Sequence, residues 1–172
     1  MKVIVVSDNH GDTYYLEEIL SIHAEDTDAW FHCGDSELPE EHPLFQRYQT
    51  VKGNMDFANK LKLTRLEEIH GEKFLIAHGH KHDVKRSYDQ LKEEARSVGS
   101  RFVFYGHTHI AKVEEEGGVF FINPGSLTQP RDRDKGTYLA LTIDEDKATV
   151  SFKFYDSDHN TIPELNQQGT LN

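Results

Sequence analysis

Five short strand-like runs in this chain, four of them mostly apolar, each stop at a polar segment that contains a glycine, and this repetition restricts the fold more than any other feature. Residues 2–6 stop at Ser7-Asp8-Asn9-His10-Gly11, residues 29–32 at Cys33-Gly34-Asp35, and residues 48–52 at Gly53-Asn54-Met55-Asp56. Residues 73–77 stop at His78-Gly79-His80, and residues 102–105 at Gly106-His107-Thr108-His109. Short runs rich in β-branched and aromatic residues, bounded by turn formers, read as buried strands. Ligands of α/β sheets bind outside the carboxyl ends of strands, so polar cargo at five such ends points to one shared site.

The segments between the runs supply the rest of the scaffold. Leu16, Ile19, Leu20 and His23 fall on one face of a helix predicted from about 12 to 23, with Asp12 available as its cap. A second helix is predicted from about 87 to 98, with Tyr88, Leu91, Ala95 and Val98 on one face and a capping box of Ser87 and Gln90. The strand-helix-strand opening favours a parallel pair with a right-handed crossover. Residues 62–67 alternate as in a half-exposed antiparallel strand, and residues 110–115, 119–122, 137–143 and 148–154 read as later strands. Gly117-Gly118 and Glu145-Asp146 mark hairpin turns. The class is α/β, residues 1–172 read as a single domain, and residues 156–172 read as a loose polar tail.

Charge narrows the partners. Nineteen Lys and Arg against thirty Asp and Glu give a net charge of −11, a poor surface for long nucleic acid, which is bound through clustered cations. A small phosphate ester remains compatible, because bound cations reverse the local field of a carboxylate-rich site. A single cysteine, Cys33, excludes a disulfide framework and a thiolate metal cluster. The first apolar run is too short for a signal peptide or a membrane span, so a cytoplasmic protein without a membrane partner is expected.

Asp8, His10, Asp35, Asn54, His78, His107 and His109 offer carboxylate, imidazole and amide donors with no thiolate among them. That donor set suits divalent ions such as Mn²⁺, Ni²⁺, Fe²⁺ or Zn²⁺. Seven donors exceed what one four-coordinate ion uses, so two divalent metal ions sharing a bridging carboxylate is the economical reading. A pair of ions roughly 3.5–4 Å apart clamps the attacking and leaving oxygens of phosphoryl transfer and acidifies a water held between them.

These blocks, in this order, resemble those of the calcineurin-like metallophosphoesterases, and residues 1 to about 155 are similar to the small YfcE-like phosphodiesterase branch. The likeness extends to Ile122-Asn123-Pro124-Gly125-Ser126 and Pro130-Arg131. It implies a four-layer α-β-β-α sandwich of two mixed sheets, and two metal ions with Mn²⁺ first and Mg²⁺ among the alternatives. It also implies that Asp8, His10 and His109 hold one ion, that Asn54, His78 and His107 hold the other, and that Asp35 bridges them. The implied reaction is hydrolysis of small phosphodiesters, with Asp35, Asn54 and His80 as catalytic residues and Asn9 and Arg131 as substrate contacts. A homodimer or higher homo-oligomer is a further expectation from the branch.

One position departs from the pattern. Many members carry a histidine after the third-block asparagine, and it protonates the leaving group; here Met55 stands there and has no proton to give. His80 and Asp56 are the alternative acids, and a missing acid favours good leaving groups such as aryl phosphates. Two competing readings remain. One is a protein-binding scaffold like the retromer small subunit, which has the same fold with a degraded metal site. The other is a nuclease or cyclic-nucleotide phosphodiesterase.

Overall fold

A computed structural model describes residues 1–172, and its two sheets and two helices stack in four layers. The first sheet runs in the order β11-β10-β9-β1-β2-β3, formed by Gln167–Thr170, Thr149–Asp156, Thr137–Asp144, Lys2–Val6, Ala29–His32 and Gln49–Thr50. The second runs β4-β5-β6-β8-β7, formed by Thr64–Ile69, Glu72–Ala77, Phe102–Phe104, Val119–Asn123 and Lys112–Glu116. β1, β2 and β3 are mutually parallel, as are β5, β6 and β8, while the remaining pairs are antiparallel, so both sheets are mixed.

The alternation of side chains along β1 explains why its residues from Val3 to Val6 are all apolar. Val3 and Val5 join the core between the sheets, with Phe31, Phe74, Phe102, Phe104, Leu139 and Phe152. Ile4 and Val6 face the other way, against Leu16 and Ile19 of α1 (Tyr14–Ile22). On the far side, Leu91 and Ala95 of α2 (Asp89–Val98) pack on Leu75, Val103 and Phe121. A strand covered on both faces has no polar positions to alternate.

Several local expectations change. Asp12 accepts the Tyr14 N–H at 2.9 Å, but α1 begins at Tyr14. The Ser87 hydroxyl accepts from the Asp89 N–H and not from Gln90, so no capping box forms. β4 pairs antiparallel with β5 as expected, but Leu66 is exposed and only Ile69 packs on the core, while Arg65 reaches over to the Thr50 carbonyl and pairs with Glu67. An edge strand beside a polar sheet margin has room for that ion pair. The tail is not loose either, because β11 pairs with β10 and Leu171 is buried. No helix is long and apolar enough to cross a membrane.

Candidate metal centre

The carboxyl ends of β1, β2 and β3 meet those of β5 and β6 along one rim of the sandwich. Asp8 lies at the meeting point and is fully buried. Its Oδ2 accepts from the Ser7 hydroxyl and, at 3.2 Å, from the His107 N–H. Its Oδ1 has no hydrogen-bond partner, although it is 3.1 Å from His109 Nε2, 3.8 Å from His10 Nε2 and 3.9 Å from His78 Nε2.

Three outward hydrogen bonds fix which ring nitrogen faces that oxygen. Nδ1–H donates to the Cys33 carbonyl from His78 (2.7 Å), to the Gln129 carbonyl from His109 (2.8 Å) and to Glu37 Oε1 from His10 (2.7 Å). Each neutral ring therefore aims an Nε2 lone pair inward, and those of His10 and His109 lie only 3.3 Å apart. Metal-ligating histidines are oriented in this way by carboxylates and backbone carbonyls. Lone pairs converging on an unpartnered carboxylate oxygen repel one another unless protons or a cation stand between them.

A second group adjoins the first. His78 Nε2 is 3.2 Å from Asp35 Oδ2 and 3.0 Å from Asn54 Oδ1, and His107 Nδ1 is 3.2 Å from the same Asn54 oxygen. Donor atoms of Asp8, His10 and His109, and those of Asp8, Asp35 and His78, fall within 4.8 Å of one another. All seven donor residues named from the sequence thus converge, and the orphaned Asp8 oxygen suits divalent cations there.

The protonation equilibria reflect this crowding. Burial alone would depress His78, but its bond to Asp35 and the nearby Asp8 charge outweigh that and raise it above its ordinary value. Asp8 raises His109 in the same way. Burial pulls His107 down to about 4. Burial works to raise Asp35, yet His78 and the Met55 N–H hold its carboxyl below the ordinary range.

Backbone geometry gathers these groups at a cost. Asp8, His10, Asp35, His107 and His109 all take left-handed φ between 46° and 69°. For L-residues this costs roughly 1–2 kcal/mol each, against about 1.5–3 kcal/mol contributed by each fully buried Val, Leu, Ile or Phe below. The core therefore sustains the strain. Two glycines make room for the carboxylates: a Cβ at Gly106 would collide with Ser7 Oγ and lie 2.6 Å from Asp8 Oδ2, and one at Gly53 would collide with Asp35 Oδ1.

Other expected residues fall differently. Asn9 is wholly buried, accepting from His32 Nε2 at 2.7 Å and donating to the Asp12 and Ser36 carbonyls, so it braces the loop and is not among the residues that line the cleft. Asp56 is no free acid: its carboxylate accepts the N–H groups of Asp35, Gly53 and Glu37. His80 packs beside His78, their ring centroids 5.4 Å apart. Arg131 and Met55 do line the open cleft of about 300 Å³ over the cluster, with His10, Asp35, Asn54 and His107.

The supporting residues were the least visible in the sequence. Ser126 donates its hydroxyl to the Asp8 carbonyl at 2.7 Å, and Asn123 donates to the Gly106 carbonyl and to Thr108 Oγ1. The Asn-Pro-Gly-Ser segment, which as a sequence reads equally as a turn, clamps two ligand-bearing strand ends together.

Comparison with known proteins agrees with this picture. The profile of the calcineurin-like phosphoesterase superfamily domain matches residues 1–146. The chain is 40% identical to the probable metallophosphoesterase YsnB of Bacillus subtilis, covering 99% of this chain and 100% of that protein. A crystal structure of a predicted phosphoesterase from Streptococcus pneumoniae superposes with a TM-score of 0.92 at 34% identity, covering 98% of this chain and 97% of that one. The phosphodiesterase YfcE of Escherichia coli is 24% identical, over 84% of this chain and 89% of its own length. Its solved structure shares the fold with a TM-score of 0.66.

Proposed function

The chain belongs to the calcineurin-like phosphoesterase superfamily, and from that premise we propose that it is a binuclear metal-dependent phosphodiesterase acting on small phosphodiesters. The observation that carries this reading is the buried, unpartnered Oδ1 of Asp8 among three Nε2 atoms. Asp8, His10 and His109 would hold one divalent ion, Asn54, His78 and His107 the other, and Asp35 would lie between them. When bound, such ions supply Lewis acidity toward phosphoryl oxygens and lower the pKa of water at the site.

The chain's own residues do the remaining work. The outward Nδ1–H bonds of His10, His78 and His109 keep their rings in one tautomer and one orientation. Arg131, exposed on the cleft wall, supplies a fork of donors for the phosphate oxygens. Met55 lines the cleft and has no proton to give, so the leaving oxygen takes its proton from water and aryl esters react fastest. The scaffold reading requires a degraded donor set, and this chain keeps all seven donors.

Metal-stripped protein is to be assayed on bis-p-nitrophenyl phosphate and p-nitrophenyl phosphate, with Mn²⁺, Ni²⁺, Zn²⁺ or Mg²⁺ restored singly. The proposal expects diesterase activity that returns with metal, Mn²⁺ foremost, and vanishes in Asp35→Asn. Failure to bind any of the metals would leave the scaffold reading.

A further inference from the structure

Two further hollows of opposite charge flank the metal cleft. One, sharing Glu37 with it, has a volume of about 500 Å³ and is walled by Glu37, Glu40 and Glu41. The other shares Arg131 with it, has a volume of about 290 Å³, and carries Lys85, Lys112 and Arg131 above an apolar floor that includes Tyr105 and Ile110. Three cations around one hollow stand out in a chain of net charge −11.

The second hollow also has directed donors. Thr108 Oγ1 accepts from Asn123 Nδ2 at 2.9 Å and from the Ile110 N–H at 3.3 Å, which leaves its hydroxyl proton to donate into the hollow. Lys112 pairs with Glu114 at 2.6 Å and lies 5.8 Å from the Tyr88 ring, contacts that keep its ammonium beside the hollow while Glu114 offsets part of its charge. The Arg131 N–H donates to the His109 carbonyl at 3.1 Å, which ties this wall to a ligand-bearing segment.

We propose that this hollow is the subsite for a second phosphate group, carried on one arm of the substrate whose scissile phosphate sits at the metal centre. The inference rests on the phosphoesterase reading and extends it from reaction to substrate class. Two ammonium groups and a hydroxyl suit phosphate oxygens, and Arg131, which lines both the cleft and this hollow, stands between the two phosphates, while the apolar floor accepts the carbon skeleton that joins them. The acidic hollow opposite repels the same group, so the two flanks fix which way the substrate lies.

The test compares two esters that differ only in a remote phosphate: thymidine 5′-(p-nitrophenyl phosphate) and the same compound bearing a 3′-phosphate. For the Mn²⁺-loaded protein, kcat/KM is expected to favour the 3′-phosphorylated ester by about tenfold, the scale of a charge-assisted contact. That ratio should collapse toward one in Lys85→Gln and in Lys112→Gln, and shrink as salt rises and the screening length shortens. A ratio at or below one in the unaltered protein, or one unchanged in both variants, overturns the subsite while leaving the diesterase reading intact. If neither ester is hydrolysed, the diesterase reading fails separately. The subsite is then decided by calorimetric affinities for thymidine 3′,5′-bisphosphate and thymidine 5′-monophosphate: a tenfold preference lost in the variants supports it, and equal affinities overturn it.

Discussion

Replacing Asp56 with alanine removes one acceptor shared by three N–H groups of two segments, since its carboxylate takes those of Asp35 at 2.9 Å and of Gly53 and Glu37 at 2.8 Å. Asp35 and Gly53 are buried, so their donors have no access to water after the change, whereas Glu37 is exposed. Each buried donor left unsatisfied costs about 1–3 kcal/mol, which puts the loss for two near 4 kcal/mol. In a domain of this size each kcal/mol lowers Tm by about 2–4 °C, so calorimetry of the metal-free protein should record a fall of about 8–16 °C. The same loss loosens Asp35 and the turn that carries Asn54, and Mn²⁺ affinity by titration should drop about 10–100-fold, as for other supports of metal ligands. Asp56→Asn keeps an acceptor oxygen and should fall between the two. Because all its bonds hold backbone, the pH profile of kcat in Asp56→Asn should keep its shape. A Tm change below about 3 °C in the alanine variant, with Mn²⁺ binding intact, would refute the bracing role.

Two other expectations can be checked alongside. Burial holds His23, His32 and His107 to about 4, so between there and the ordinary 6.5 only the unfolded chain binds those protons, and stability rises with pH. His78, despite its burial, and His109 are held above 6.5 by Asp35 and Asp8, so above that value the native state keeps protons the unfolded chain has released, and stability falls. Urea denaturation of the metal-free protein should therefore find a maximum near pH 6.5, with Mn²⁺ removing the alkaline decline; a steady rise through pH 8.5 without metal would contradict this. Met55→His restores an acid to the cleft and should raise kcat for alkyl diesters by about tenfold or more while changing aryl diesters little. An equal effect on both would show that leaving-group protonation does not limit the reaction.

What could be read in the sequence was whatever a strand end displays within a few residues. The seven donors stood beside glycines at the ends of apolar runs, and both helices followed from their 3.6-residue spacing. Hidden features depend on where a side chain turns once the strand has ended. Asn9 lies between two residues that face the cluster, yet the left-handed turns at Asp8 and His10 direct it inward to His32. Asp56 looks like any turn aspartate until Gly53 and Asp35 are brought beside it in space. The clamp from Asn123 to Ser126 depends on β8 lying next to β6, a pairing that short-range patterns do not encode. β11 was missed because an outer strand is held by backbone bonds, which leave no signature in Gln167-Gln168-Gly169-Thr170.

The split of the donors between the sheets also bears on the order of events in folding. Asp8, His10 and Asp35 come from one sheet and His78, His107 and His109 from the other, and the facing rings of His10 and His109 are 99 residues apart in the chain. Loops of that length close only after local structure has formed, so the complete donor set exists only once the sheets have docked. A metal captured by contacts that form after the rate-limiting step of folding slows unfolding without hastening folding. Undocking of the sheets would therefore release such ions, and their presence would prolong the docked state.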